Sequence, residues 1–129
     1  MKITTFLTFL ASLASLASLA FLASCKSRIP KDAASTFDQL ITSIKDDNYR
    51  SFISQGDDSF QKAITESKFN DFSGKLAESF HSGISTKYLT KIQQKGYDIY
   101  LWEIDCKDSH QFIARLALKD SKVAGLMIN

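Results

Sequence analysis

The chain has 129 residues, and its 16 basic and 14 acidic side chains give a net charge of +2. This near-balance argues against a nucleic-acid-binding face, which would need clustered lysines and arginines, so no nucleic-acid partner is expected. The length allows one small domain around a single core. Ten phenylalanines against one proline favour a compact chain over a disordered one.

The N-terminal segment carries one charge, Lys2, and is uncharged from Phe6 to Ser24. A basic residue followed by an apolar stretch is typical of an export signal. The stretch ends in Leu22-Ala23-Ser24-Cys25, which resembles the lipobox of bacterial lipoprotein precursors. The resemblance implies that residues 1–24 are a signal peptide and that Cys25 becomes the first residue, with a diacylglycerol on its sulfur. Two alternatives stay open: an uncleaved transmembrane helix, and an ordinary secretory signal cut after Ala23 or Ser24.

The lipoprotein resemblance implies a place in the cell. The chain would be held in the bacterial cell envelope by its acyl chains, and the membrane would be its first partner. Lys26 follows the cysteine, where an aspartate tends to retain enterobacterial lipoproteins in the inner membrane. The expected place is therefore the periplasmic face of the outer membrane, if the source is Gram-negative. Residues 25–31 would form a tether, and residues 32–129 a single domain.

Cleavage would leave 105 of the 129 residues, with 15 basic and 14 acidic side chains once Lys2 is removed. If Cys25 carries lipid, Cys106 has no second cysteine with which to form an internal disulfide. A lone thiol in an oxidising compartment is usually buried, so Cys106 is predicted to lie in the core.

The first half of the predicted domain has helical periodicity. Phe37, Leu40, Ile41 and Ile44 follow the spacing of one buried helical stripe, with Asp32 as the predicted N-cap. Short helical pieces are predicted around residues 49–55, ended by Gly56, and around 58–64, capped by Asp57 or Asp58. A longer helix is predicted from Thr65 to Gly83, with the stripe Phe69, Phe72, Leu76 and Phe80.

The second half has the alternation of strands. Residues 97–106 place Tyr100, Trp102, Ile104 and Cys106 on one face. Residues 112–119 alternate most cleanly, residues 123–128 form a last strand, and residues 89–94 form an earlier, less regular one. Helices followed by an antiparallel meander predict an α+β fold in which N-terminal helices pack on a curved C-terminal sheet, preceded by the signal helix.

This order of elements resembles the nuclear-transport-factor-2-like cone, grouped with the cystatin-like folds, and in particular its small bacterial domains of unknown function. The likeness rests on the turn at Asp46-Asp47-Asn48-Tyr49 and on the closing strand Lys122-Val123-Ala124-Gly125-Leu126-Met127-Ile128. It implies a cone with a mouth, which in some relatives holds a small apolar ligand or an active site and in others is filled by side chains.

Five residues of the strands could line a ligand pocket in such a mouth: Tyr97, Tyr100, Trp102, Asp105 and Arg115. The family's enzymes use acid–base pairs in the mouth. For such a role this chain offers six residues: Tyr97, Tyr100, Glu103, Asp105, His110 and Arg115. The competing interpretation is plain core for the aromatic residues and a cross-strand ion pair of Arg115 with Glu103 or Asp105. No metal-ligand spacing, cofactor motif or catalytic signature is found, so no catalytic residue, metal or cofactor is predicted.

Two functions follow as expectations. The first is a membrane-anchored envelope lipoprotein, without enzymatic activity, that binds a partner protein or a small apolar ligand. The second is a small cone-fold enzyme, of the hydrolase, isomerase or dehydratase type, that uses acid–base residues in the mouth. The fold alone does not choose between them.

Overall fold

The first described helix follows directly from Pro30 in a computed structural model that describes residues 30–129. The predicted signal peptide, Cys25 and most of the tether lie outside the described residues. Four helices and four strands follow in chain order: α1 (Lys31–Lys45), α2 (Tyr49–Ser54), α3 (Asp58–Ala63), α4 (Glu66–His81), β1 (Ile84–Gln94), β2 (Tyr97–Cys106), β3 (Gln111–Lys119) and β4 (Lys122–Ile128). The predicted α+β class is confirmed.

Helix α1 buries the stripe that its sequence predicts, namely Phe37, Leu40, Ile41 and Ile44. Its start differs from the prediction. Pro30 is the N-cap residue, and Asp32 lies inside the first turn instead of capping it. The reason is that proline presets a backbone angle suited to a helix start, and an acidic side chain in the first turn interacts favourably with the helix dipole.

Helices α2, α3 and α4 each begin at a side-chain cap. The side chains of Asn48, Asp57 and Thr65 accept hydrogen bonds from the backbone N–H three residues later. These caps satisfy donors that a helix start would otherwise leave unpaired. The predicted choice between Asp57 and Asp58 is decided for Asp57.

The four strands form an open antiparallel meander in the order β1-β2-β3-β4. The bounds of β2 match the prediction, but β1 begins at Ile84, five residues before the predicted start at Leu89. Only Ile84 and Tyr88 in β1 are partly buried. Because so few residues of this edge strand are buried, apolar and polar residues do not alternate along it, and its start could not be predicted from the sequence. The register shifts twice. Leu89 of β1 is the extra residue between Tyr88 and Thr90, and Ala124 of β4 is the extra residue opposite Ala117 and Leu118.

The core lies between the helices and one face of the sheet. Phe37 of α1 stacks on Trp102 of β2 with ring centroids 4.0 Å apart and planes 2° from parallel. Every second residue of β2 and β3 faces this core, as the alternation predicts. In the part of the chain from Pro30 onward, no helix is long and apolar enough to cross a membrane.

Candidate functional site

An apolar hollow opens where the short helices meet the edge strand β4. Its volume is 230 Å³. Side chains from α2, α3, α4, the α3–α4 link and β4 line it: Phe52, Phe60, Ile64, Lys68, Phe69, Phe72 and Leu126. Four other hollows are larger and open more widely to solvent. They lie on the outer side of α1, beside the turn that precedes α2, at the β1–β2 hairpin and between α1 and the start of β1, and none of them is lined mainly by large apolar side chains. The phenylalanine-lined hollow is therefore the better candidate for binding an apolar group.

Phe52 is the centre of the aromatic cluster in the wall of this hollow. Its ring centroid lies 4.9 Å from that of Phe69, 5.6 Å from Phe60 and 6.3 Å from Phe72, all in tilted arrangements. Tilted rings at these separations gain electrostatic energy beyond their burial. Phe52, Phe60 and Phe69 are buried, while Phe72 is only partly covered. The cluster thus forms a fixed wall with one accessible ring.

The position of Phe60 depends on the turn that precedes α3. The carboxylate of Asp57 accepts a hydrogen bond of 2.8 Å from the backbone N–H of Phe60. The ring then lies against Gly56, where a Cβ atom would overlap its Cδ1 and Cγ atoms. The absence of a side chain at Gly56 is therefore what allows the ring to form this wall.

The size and charge of the hollow limit what it can bind. An enclosed apolar cavity of about 150 Å³ takes up benzene, whereas pockets for drug-sized ligands measure about 300–1,000 Å³. At 230 Å³ the hollow suits one apolar side chain or a ligand of similar size. Lys68 is the charged residue in its lining, and its amine donates to the backbone oxygen of Ala63 at 3.3 Å.

The five residues expected to line a pocket are divided between the two faces of the sheet. Tyr100 and Trp102 are buried on the helix-covered face, at 4% and 3% exposure. Trp102 contacts Tyr88 edge-on as well as Phe37, so its ring is part of the core.

Tyr97, Asp105 and Arg115 lie on the opposite face. Tyr97 is the first residue of β2, and the amine of Lys119 is 5.5 Å from the centroid of its ring. Asp105 is paired across the sheet with Gln111, whose side-chain amide donates to its carboxylate at 2.8 Å. These three residues do not share a cavity with Tyr100 and Trp102.

Arg115 has a different cross-strand neighbour from the one expected. It lies opposite Leu101, whereas Glu103 lies opposite Ile113. The ion pair expected between Arg115 and Glu103 or Asp105 is absent from the described structure, where the ion pairs are Lys91–Asp98 and His110–Asp108. The expectation was wrong because the register of β2 and β3 places each acidic residue opposite an uncharged one.

Cys106 is buried at 8% exposure, as predicted. Burial raises the pKa of its thiol, and the nearby carboxylates of Asp108 and Asp105 raise it further. A protonated, shielded thiol is a poor nucleophile. The pKa of the Asp108 carboxyl is lowered, first by the backbone N–H of His110, which donates to it at 3.0 Å, and then by the Ser79 hydroxyl.

No protein-family model matches this chain, and no curated protein matches it. Among residues 30–129, no group of three or more histidine, cysteine, aspartate or glutamate side chains is placed to hold a metal ion. The hollow and its surroundings are therefore the candidate functional site. The helical spacing predicts one buried stripe with Phe69 and Phe72 but does not predict the hollow, although the sequence has four phenylalanines between residues 52 and 72.

Proposed function

We propose that this chain is a lipid-anchored lipoprotein of the bacterial cell envelope whose domain binds a partner protein by taking one apolar side chain into the phenylalanine-lined hollow. The anchor is proposed from the sequence, because Leu22-Ala23-Ser24-Cys25 resembles a lipobox. The binding role is proposed from the hollow of 230 Å³ and its lining by four phenylalanines. If the source is Gram-negative, the proposed location is the periplasmic face of the outer membrane.

The distance between the anchor and the domain supports a role close to the membrane. Helix α1 begins at Lys31, directly after Pro30. The five residues from Lys26 to Pro30 would span at most about 18 Å when fully extended. A domain on so short a tether can reach only partners that are themselves at or near the membrane surface.

The size and chemistry of the hollow favour a protein partner over a free ligand. A buried apolar side chain gains about 1.5–3 kcal/mol from leaving water, which is too little to hold a small molecule of that size at low concentration. As one contact of a larger interface, however, an apolar residue in a well-packed pocket is typical of a binding hot spot.

A finer description of the fold is part of the proposal. We propose that the domain is a small member of the nuclear-transport-factor-2-like cones, with the hollow near the mouth of the cone. The order of four helices followed by a four-stranded antiparallel meander supports this proposal.

The anchor is tested with the two cysteines of the chain. We expect Cys25→Ser to move the protein from the membrane to the soluble fraction and to remove the mass of the acyl chains. Cys106→Ser is the matched control, because it removes the other thiol and should leave the protein in the membrane. Membrane association of Cys25→Ser with an uncleaved mass would show that the segment is a transmembrane helix instead.

The hollow is tested with toluene, an apolar probe of suitable size, in the chain carrying Cys25→Ser. We expect toluene to change the NMR shifts of the methyl groups of Leu126 and Ile64. Leu126→Trp should block the hollow and abolish these changes at Ile64. Met127→Trp is the matched control on the same strand, since Met127 is 54% exposed and does not line the hollow. Equal toluene binding by both variants would contradict the proposed site.

A further inference from the structure

The two edges of the sheet differ in how well they are protected against pairing with another strand. β1 carries Lys87 and Lys91 and an irregularity at Tyr88/Thr90. Charged side chains and bulges are features that natural sheets use to discourage pairing at an edge. β4 has an irregularity of its own at Ala124, near its start, but it has no charged residue from Val123 to Ile128 and its pairing is regular from Gly125 onward. The edge formed by β4 is therefore the more receptive one.

The backbone of β4 presents unpaired groups along this edge. Ile113 and Asn129 exchange two backbone hydrogen bonds, of 2.8 and 3.1 Å. Antiparallel strands alternate between hydrogen-bonded and non-hydrogen-bonded pairs, so the N–H and C=O of Leu126 and Ile128 point away from β3. In the described part of the chain, these groups have no hydrogen-bond partner beyond the sheet.

The start of β4 shows that the same edge can accept extended backbone. The N–H of Val123 donates to the backbone oxygen of Gln55 at 2.9 Å, and the oxygen of Val123 accepts from the N–H of Asp57 at 2.9 Å. Gly56 and Val123 thereby form a parallel bridge. The chain turns into α3 directly afterwards, so this pairing stops, and among residues 30–129 no further backbone hydrogen bond reaches this edge from Ala124 to Ile128.

The hollow lies beside this free edge, on the buried face of the sheet. Leu126 pairs with Leu116, which faces the core, and Leu126 itself lines the hollow. A strand added to β4 would lie about 4.7–4.9 Å away. The residue opposite Leu126 would then have its side chain about 4.5–5.5 Å from that of Leu126, on the same face. That side chain would enter the hollow.

The positive charge in the lining sets a second requirement for the partner, namely a negatively charged side chain on the same face of the added strand. Lys68 is the charged residue that lines the hollow, and it is exposed to solvent. A carboxylate two residues from the apolar side chain would lie on the same face of the strand and could pair with the Lys68 amine.

We infer that the partner enters as an extended segment that pairs with β4 as a fifth strand, with an apolar side chain in the hollow and a carboxylate, two residues away, at Lys68. This inference rests on the proposed function and names the form of its partner. Main-chain hydrogen bonds to Leu126 and Ile128 supply affinity that does not depend on sequence, and the hollow and Lys68 supply selectivity.

Amide hydrogen exchange tests the inference on the chain carrying Cys25→Ser. The probe is the acetylated and amidated hexapeptide threonine-threonine-leucine-threonine-glutamate-threonine, at millimolar concentration. We expect exchange at the amides of Leu126 and Ile128 to slow by about tenfold when about nine-tenths of the protein is bound, because exchange then proceeds from the free fraction. The Met127 amide, which points toward β3, should keep its rate and serves as an internal control.

Two altered peptides separate strand pairing from simple apolar binding. N-methylation of the leucine and glutamate nitrogens removes the donors that face β4, so the slowing should disappear. Lysine in place of glutamate should weaken binding through repulsion by Lys68. Equal protection by the N-methylated peptide would overturn the inference.

Two further results would also overturn it. Protection of Leu126 and Ile128 that rises with protein concentration, without peptide, would mean that a second copy occupies the edge. If toluene enters the hollow but the hexapeptide leaves both amides unchanged, strand pairing is wrong and the proposed function stands. If neither toluene nor the peptide binds, the proposed function fails as well.

Discussion

Removal of the Phe37 ring should be the most damaging single truncation in the contact between α1 and the sheet. Phe37 is 1% exposed, and its ring lies flat against that of Trp102 at 4.0 Å. Truncation of a buried phenylalanine to alanine costs about 3–5 kcal/mol through lost burial and the cavity that remains. A small domain is stable by about 5–15 kcal/mol in total. Phe37→Ala should therefore leave the domain close to unfolding.

A milder variant keeps the test informative if Phe37→Ala does not fold. Phe37→Leu retains an apolar side chain but loses the stacked ring, which by itself contributes about 0.5–1.5 kcal/mol. With imperfect filling of the space, we expect a loss of about 1–2 kcal/mol. For a domain of this size each kcal/mol lowers the melting temperature by about 4–8 °C, so the expected decrease is roughly 4–16 °C.

The single tryptophan makes the measurement direct. Trp102 is 3% exposed and touches the mutated residue, so its fluorescence during urea unfolding reports both the stability and the contact. Both variants should alter the native emission spectrum as well as the unfolding midpoint. If Phe37→Ala lowers the free energy of unfolding by less than about 1 kcal/mol and leaves the native emission unchanged, α1 does not pack on β2 as described.

Two further predictions concern stability. Gly56→Ala should destabilise the domain by about 1–3 kcal/mol, because the added Cβ overlaps the Phe60 ring. Gly74→Ala is the control, since Gly74 lies in an exposed part of α4 with open space around it, and it should be neutral or stabilising by up to about 1 kcal/mol. Equal effects of the two substitutions on urea unfolding would contradict the close contact of Gly56 with Phe60. The lowered pKa of the Asp108 carboxyl stabilises the fold above its ordinary value of about 3.9, and this stabilisation is lost as the pH falls through the lowered value. Asp108→Ala should thus be less stable than the parent at pH 7, and the difference should shrink as the pH falls below the ordinary carboxyl pKa. A difference in the free energy of unfolding that is independent of pH would show that the contact of the carboxylate with His110 has no role.

The elements that could be predicted from the sequence are those with one well-covered face. Phe37, Leu40, Ile41 and Ile44 in α1 are buried as their spacing predicts, and β2 has the predicted bounds. β1 was predicted too short because its residues are mostly exposed and show no alternation. The pairing of Arg115 was predicted wrongly because the residue type does not determine the cross-strand neighbour; the register does.

The sequence by itself determined the helical and strand periodicities, the burial of Cys106 and the expectation of an anchor at Cys25, which lies outside the described residues. Each of these depends on local spacing or on a short motif. The hollow was decided by tertiary structure alone, because Phe60 and Leu126 are far apart in the chain and meet only when α3 packs beside β4. The unpaired backbone groups of Leu126 and Ile128 likewise follow from the sheet topology, because β4 is an edge strand of the sheet formed by residues 30–129.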